Sequence, residues 1–400
     1  MKIQLVTNEL SAKIKVLGVG GAGGNAINDM IASQMAGVDF MAANTDSQAL
    51  ERSLASVKIH LGPTVTRGLG AGGDPEMGRN ATLEESERIK QVLQGADMVF
   101  IAAGMGGGTG TGGAPVIAEL SRELGALTVA VVSKPFDFEG KMKKRLADSG
   151  IEELRKVVDT IITIPNDQLF KLSSKNSRIK DVFAMANEVL GFAVRGISDL
   201  IMVPGFVNLD FADVRTIMRE RGMALMGTGI SGGANRACEA AQKAISSPLL
   251  EDISIRGARG ILINITSTPD ISMDELKEIC GIIQEEADEE AIIKWGLVYD
   301  ESLAEEIRVT VIATGLGKRA EAERVIWSPP VTTQAEMEDL EIPTILRKPT
   351  EMQGMAAEGH QPGRPSPNLG VVAAKKYIVH PDLQYEENEL DTPPFLRRAD

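Results

Sequence analysis

Of 400 residues only two are cysteine, Cys238 and Cys280, and three are histidine. Neither cysteine lies in a CxxC pair, so a disulfide framework and a zinc site are not expected, and a reducing, cytoplasmic compartment suits the chain. Positive charge is short: 42 Lys and Arg stand against 56 Asp and Glu, a net charge of −14. A nucleic-acid partner is therefore not expected, because such binding needs basic surface to displace counterions. No run is long and apolar enough to span a bilayer, and Met1 to Leu10 lack a signal-peptide pattern, so no membrane insertion is expected. Aromatic residues make up 4% of the chain, and none occurs between Trp327 and Tyr377, whereas ten of the 18 prolines lie beyond Ser328. Such a stretch cannot bury enough apolar surface to offset the entropy of ordering, and a disordered linker is expected there. Two nucleotide signatures are missing as well: there is no GxxxxGK[ST] and no Asn-Lys-x-Asp. A nucleotide would have to be held without a P-loop lysine.

What remains is an ordinary globular composition, 43% hydrophobic and 24% charged, long enough for two domains. Apolar runs at Ile14–Val19, Val38–Ala43, Val57–Leu61, Met98–Ala103, Leu127–Val132 and Thr160–Ile164 read as strands. Helical patterns such as Leu83–Leu93 and Ala114–Leu124 lie between several of them. Continuous rather than alternating apolar strands imply a parallel sheet covered on both faces. Asp181–Val203 reads as a long, largely apolar helix with one odd polar residue, Asn187. A less regular α+β unit follows, from Phe206 to Gly317, with a helix after Asp210, another near Gly233–Ile245, and strands at Gly260–Thr266, Ile293–Tyr299 and Ile307–Ala313.

Three glycine-rich loops carry the chemistry. Gly106-Gly107-Gly108-Thr109-Gly110-Thr111-Gly112 follows an apolar strand and precedes a helix with Pro115 near its first turn. So much glycine after a strand cannot be there for packing, and the run reads as a phosphate cradle at a helix N-terminus. Gly18-Val19-Gly20-Gly21-Ala22-Gly23 contains GxGxxG, and Asp46 lies where a dinucleotide site would place its ribose carboxylate. That leaves an NAD(P)-dependent oxidoreductase as an alternative, although it has no use for the second cradle. In the third loop, Gly68–Glu76, Asp74 suits a helix N-cap with Pro75 at the first helical position, and the preceding glycines suit a loop over a γ-phosphate. No base stands near these loops. The notable acids are Asp210 and Asp213, which read either as an ordinary helix start or as a pair aimed the same way. The tip, Leu390 to Asp400, reads as a short recognition motif or as a frayed tail.

These residues together resemble the FtsZ family of bacterial tubulin-like cell-division GTPases. The resemblance rests on Gly20–Asn25, Asn44-Thr45-Asp46, Gly70–Pro75, Gly104–Gly113, Phe136–Gly140, Pro165-Asn166-Asp167 and Asn208–Asp213. It implies an α/β fold: a Rossmann-like parallel-sheet GTPase domain at 13–180, a central helix at 181–205 and an α+β domain at 206–317. A disordered linker at 318–388 and a partner-binding tail at 389–400 would follow. Gly20, Gly21, Ala22, Gly23, Gly24, Asn25 and Asn44 would meet the nucleotide, with Gly104, Gly107, Gly108, Thr109 and Gly110 cradling phosphate. Ala71, Gly72 and Gly73 would sense the γ-phosphate. Glu139 would hold the ribose, Lys143 would stand where the family usually has arginine, and Asn166 would sit in the pocket. Phe183 would stack on guanine, and Asn187 would bond it. Asn208, Asp210 and Asp213 would belong to the loop that enters the next subunit's pocket and positions water. The resemblance further implies GTP/GDP with Mg²⁺, which no protein side chain is assigned to ligate. It also implies head-to-tail homopolymers at the mid-cell division site, and tethering and regulatory division proteins bound through Asp391–Asp400.

Overall fold

A computed structural model describes residues 12–172, 178–203, 205–220, 222–247, 255 and 257–316. The expected linker at 318–388 and tail at 389–400 lie outside the described residues. Six apolar runs form parallel strands in the order β3-β2-β1-β4-β5-β6: β1 (Ile14–Val19), β2 (Val38–Asn44), β3 (Val57–His60), β4 (Met98–Gly104), β5 (Leu127–Lys134) and β6 (Thr160–Pro165). The sheet continues through β7 (Gly222–Ser231), β10 (Ile307–Leu316), β8 (Gly260–Ser267) and β9 (Ile292–Tyr299). β7 joins β6 in parallel through only Thr160–Ile162, whereas β10 runs antiparallel to both β7 and β8. One ten-stranded sheet therefore runs under both halves.

The continuously apolar strands are covered on both sides, as their pattern demands. On one face, α1 (Gly20–Ala32), α8 (Ile179–Met202) and α9 (Phe211–Met218) share a core with β1, β4, β5 and β6 through Ile27, Met30, Leu190, Ile197, Val214, Phe100 and Val129. On the other face α4 (Ser86–Leu93), α5 (Thr109–Glu123) and α6 (Lys141–Val157) bury Leu17, Ile101, Ile117 and Leu154. The second half stacks α10 (Arg236–Ile245) and α11 (Met273–Glu286) on its own cluster around Ile261, Ile263, Ile279 and Val309.

Two expectations are corrected here, and two elements appear that were not expected. The helix read as Leu83–Leu93 is two, α3 (Pro75–Glu84) and α4, broken at Glu85. At the break, Glu84 turns to accept from the amides of Thr64 and Val65, a tether that periodicity cannot show. α5 begins at Thr109 rather than Ala114, so Pro115 lies inside the helix and not in its first turn. β7 and α11 were not anticipated. Gly222, Gly227 and Gly229 disguise β7 as a loop, yet a Cβ at Gly227 or Gly229 would strike the Ala244 or Ala240 carbonyl of α10. These glycines bring helix and strand together.

Candidate functional site

The two glycine loops leave adjacent strands. β1 and β4 are paired in register, Val19 opposite Ala103, and the strand order reverses between them. A parallel sheet opens a crevice at such a point, at its carboxyl end. Gly20 starts α1 at φ +73°, a left-handed conformation that only glycine adopts cheaply, and a Cβ there would come 3.2 Å from the Gly110 nitrogen. Neither α1 nor α5 has a side-chain N-cap, so their first-turn N–H groups face the crevice uncapped. That is the arrangement that binds phosphate. The neighbouring short helix α2 (Ser47–Glu51) and α3 are capped instead: Asp46 accepts from Gln48 and Ala49, and Asp74 accepts from Glu76. Asp46 Oδ1 is thereby committed to the backbone of α2.

The glycines fall into two kinds. At Gly21, Gly24, Gly72, Gly73 and Gly107 an added Cβ would meet nothing within 4 Å. At Gly108 it would sit 2.7 Å from both the Ala71 Cβ and the Asp74 carbonyl, and at Gly104 2.6 Å from the Ala22 Cβ. At Gly110 and Gly112 it would strike the carbonyls of Gly104 and Pro75. Packing thus accounts for much of the Gly106–Gly112 run, against the expectation that it would not. These glycines press α5 onto α3 and pull the Ala71–Gly73 loop against the cradle. Thr45, beside the buried Asn44, bonds Thr109 hydroxyl to hydroxyl at 2.6 Å, and its carbonyl accepts from Gly70 at 3.1 Å. Three separate loops are thereby locked into one wall.

The opposite wall comes from the ends of β5 and β6. Phe183, on α8 and 42% exposed, meets the buried Phe136 ring edge-on at 5.3 Å. Glu139 accepts from the Phe136 nitrogen at 2.9 Å and from Lys143 Nζ at 3.0 Å. Lys144 bridges Asp137 and Asp167, and these hydrogen bonds hold its ammonium above the ordinary lysine range. That clamp ties the segment after β5 to the first turn of α7 (Asn166–Leu172), the helix that directly follows β6. Asn166 is 6% exposed, and its Oδ1 is buried without a hydrogen-bond partner. A buried acceptor without a protein partner is open to a donor from a ligand or from water. Asn187 donates to Asp29 Oδ2 at 2.9 Å.

Asn208, Asp210 and Asp213 are not part of this crevice. α8 is 24 residues long, roughly 35 Å, and they lie beyond its far end. α9 contacts the amino-terminal ends of the strands: Arg215 donates to the Gly125 carbonyl just before β5, and Thr160 of β6 donates to the Met218 carbonyl. The loop ahead of α9 is stitched to β9, with Phe206 donating to Leu297 at 3.0 Å and Leu297 donating to Val207 at 2.9 Å. Asn208 Oδ1 accepts from the Gly205 nitrogen at 2.7 Å. Asp210 occupies the N-cap position of α9, but its side chain makes no capping hydrogen bond. The plain helix-start reading explains its position and leaves its exposed carboxylate unused.

Comparison with known proteins decides between the readings. Residues 13–174 match the model of the Tubulin/FtsZ family GTPase domain, and 222–317 match the C-terminal domain of the FtsZ family. Cell division protein FtsZ of Pseudomonas aeruginosa is 48% identical over 97% of both chains. The chain belongs to the FtsZ family. The Pseudomonas putida protein of the same name is 49% identical, again over 97% of both chains. A solved structure, an empty FtsZ dimer from M. jannaschii, superposes with a TM-score of 0.75 at 44% identity, covering 78% of this chain and 90% of that one. The CetZ2 protofilament structure from Haloferax volcanii shares the fold at TM-score 0.66 and 20% identity, covering 82% of this chain and all of that one. The protein is thus a GTPase of tubulin type, and the oxidoreductase alternative is set aside.

Sequence reasoning missed Asp29 and Thr45 as wall residues. Asp29 lies one helical turn after Asn25 on α1, and that i,i+4 spacing was the available signal. Thr45 lies in the quoted Asn44-Thr45-Asp46 motif, but nothing local points to its partner Thr109, 64 residues away.

Proposed function

We propose that this chain binds GTP in the crevice between β1 and β4 and hydrolyses it only within a head-to-tail polymer, as a cell-division cytoskeletal protein. One observation carries the reading: the phosphate cradle and the Asp210 and Asp213 carboxylates lie at opposite ends of α8. Asp46 and Asp74, two acids beside the cradle, are engaged as helix caps. The group that orients water would then arrive on another copy. A contact of one end with the other does not close on itself and propagates as a linear filament.

In that arrangement the first-turn amides of α1 and α5, with Thr109, would hold the phosphates. Gly21, Gly24, Gly72, Gly73 and Gly107 leave the room for them. Asn44, Glu139, Lys143 and Asn166 would face the sugar and phosphates, and Phe183 would stack on the base. Asn187, oriented by Asp29, would bond guanine, whose N–H edge suits acceptors rather than donors. Asp210 and Asp213 of the neighbour would then position the attacking water. Among the described residues no group of three or more His, Cys, Asp or Glu could cage a metal. Mg²⁺ would accordingly enter with the triphosphate, keep most of its waters and neutralise phosphate charge. Among the described residues no helix is long and apolar enough to cross a membrane. Attachment at the mid-cell division site would therefore fall to partners bound through Asp391–Asp400. The domain division at 13–180, 181–205 and 206–317, followed by a linker and tail, belongs to the same proposal.

The test is the GTPase rate across a protein dilution series, with light scattering alongside. Turnover per molecule is expected to rise above a threshold concentration together with scattering. Constant turnover throughout, with no sedimentable polymer, overturns the reading.

A further inference from the structure

The start of α9, with Asp210 at its N-cap and Asp213 in its first turn, has a cation beside it. Lys294 lies on β9, the edge strand to which residues 206 and 207 are bonded, and its Nζ stands 3.0 Å from Asp213 Oδ1. Both side chains are 38% exposed. An ion pair that wet adds little to the stability of an isolated fold, so holding the fold together does not account for it. Its surroundings change when the loop enters a pocket. Two carboxylates then approach a triphosphate, and like charges at close range repel more strongly as water leaves. A cation already bonded to one carboxylate offsets that repulsion and removes a rotational freedom from Asp213.

Resting on the shared-site reading above, we propose that Lys294 is a positioning residue for hydrolysis in the neighbouring copy. It fixes the orientation of the Asp213 carboxylate and carries a compensating charge into the interface. Lys294 acts through Asp213 and makes no bond to the reacting atoms. Its place on β9 gives it a rigid base, because β9 is held to β8 in parallel over its whole length, Ile292 to Tyr299.

The experiment compares Lys294→Met, which keeps the stem and removes the charge, with Lys294→Arg in the full chain. Thermal midpoint and GTP affinity of the dilute protein are expected to be unchanged in both. In Lys294→Met the slope of GTPase rate against concentration above threshold should fall by about tenfold, the scale set by a lost orienting, charge-assisted bond. Lys294→Arg should keep most of that slope. In an Asp213→Asn background, Lys294→Met should cost nothing further. A native slope and threshold in Lys294→Met overturn the proposal, as does equal loss in the arginine and methionine variants. If Asp213→Asn itself keeps native turnover, the shared-site reading fails, and the role of Lys294 with it. Lost turnover in Asp213→Asn beside native turnover in Lys294→Met overturns the role of Lys294 alone.

Discussion

Among the described residues three aspartates stand at α-helix N-caps, and they are used differently. At the carboxyl end of the sheet, Asp46 and Asp74 bond the amides of α2 and α3, while α1 and α5 begin uncapped. At the amino end, Asp210 heads α9 with its carbonyl alone accepting from the helix amides, and its side chain caps nothing. Carboxylates are thus withdrawn into structure where a polyanion would sit, and left available where none would. The reverse arrangement would set free negative charge beside the phosphates and leave nothing to orient water. On the proposed reading each end is half a site, with backbone donors on one and the Asp210 and Asp213 carboxylates on the other.

The largest expected effect separates the two halves. Asp213→Asn should lower turnover by on the order of 100-fold or more, the range for losing a group that handles the proton of the attacking water, with GTP binding retained. A variant disabled in the pocket should be equally inactive by itself. Mixed in equal amounts, the two should recover activity, because about a quarter of head-to-tail junctions then join an intact pocket to an intact loop. GTPase measured on the mixture decides this, and failure to recover, with co-assembly verified by sedimentation, breaks the comparison.

A second test sharpens the pocket half by separating its two kinds of glycine. Gly112→Ala drives a methyl into the Pro75 carbonyl, and an overpacked contact of this sort should cost about 2–3 kcal/mol of stability. Gly107→Ala meets nothing within 4 Å, so its thermal midpoint should hold. Its GTP affinity should instead fall by about tenfold, or about 1.4 kcal/mol. Equal stability loss in both would erase the distinction between glycines that pack and glycines that leave room.

That distinction also marks how far the chain could be read before its structure. The strands β1, β2, β4, β5 and β6 begin where their apolar runs begin, because burial on both faces leaves a continuous signal. The position of the cradle was legible for the same reason, since glycine after such a strand is conspicuous. Its division of labour was not. Whether Gly108 faces a ligand or the Ala71 Cβ depends on a loop 37 residues earlier, and no local pattern carries that. β7 was hidden by glycines whose partner, α10, follows it in the chain. The spacing of Asp210 and Asp213 was visible, but their distance from the cradle depends on the course of α8. Only the fold shows that an N-cap aspartate can leave its helix uncapped.

The smallest effect probes the far half of α8 and should leave the pocket untouched. Asp199, three residues before the helix ends, is pushed up to about 6 by burial and by Asp300, against the opposing pull of Arg195 and Arg308. Between the ordinary carboxylate value and 6 the folded chain binds the extra proton, so stability falls as pH rises through that window. The burial cost is fully present above 6 and is relieved below 3.8. Asp199→Asn carries no such titration. Lowering pH from about 7.5 to 5 should therefore stabilise the native chain relative to this variant by about 1 kcal/mol, read by urea unfolding at both pH values. GTP affinity should be the same in the two proteins at each pH, because Asp199 lies four turns along α8 from Phe183. A pH-independent gap in stability would show that Asp199 does not titrate here. A gap in GTP affinity would show that the two ends of α8 are not as separate as their aspartates suggest.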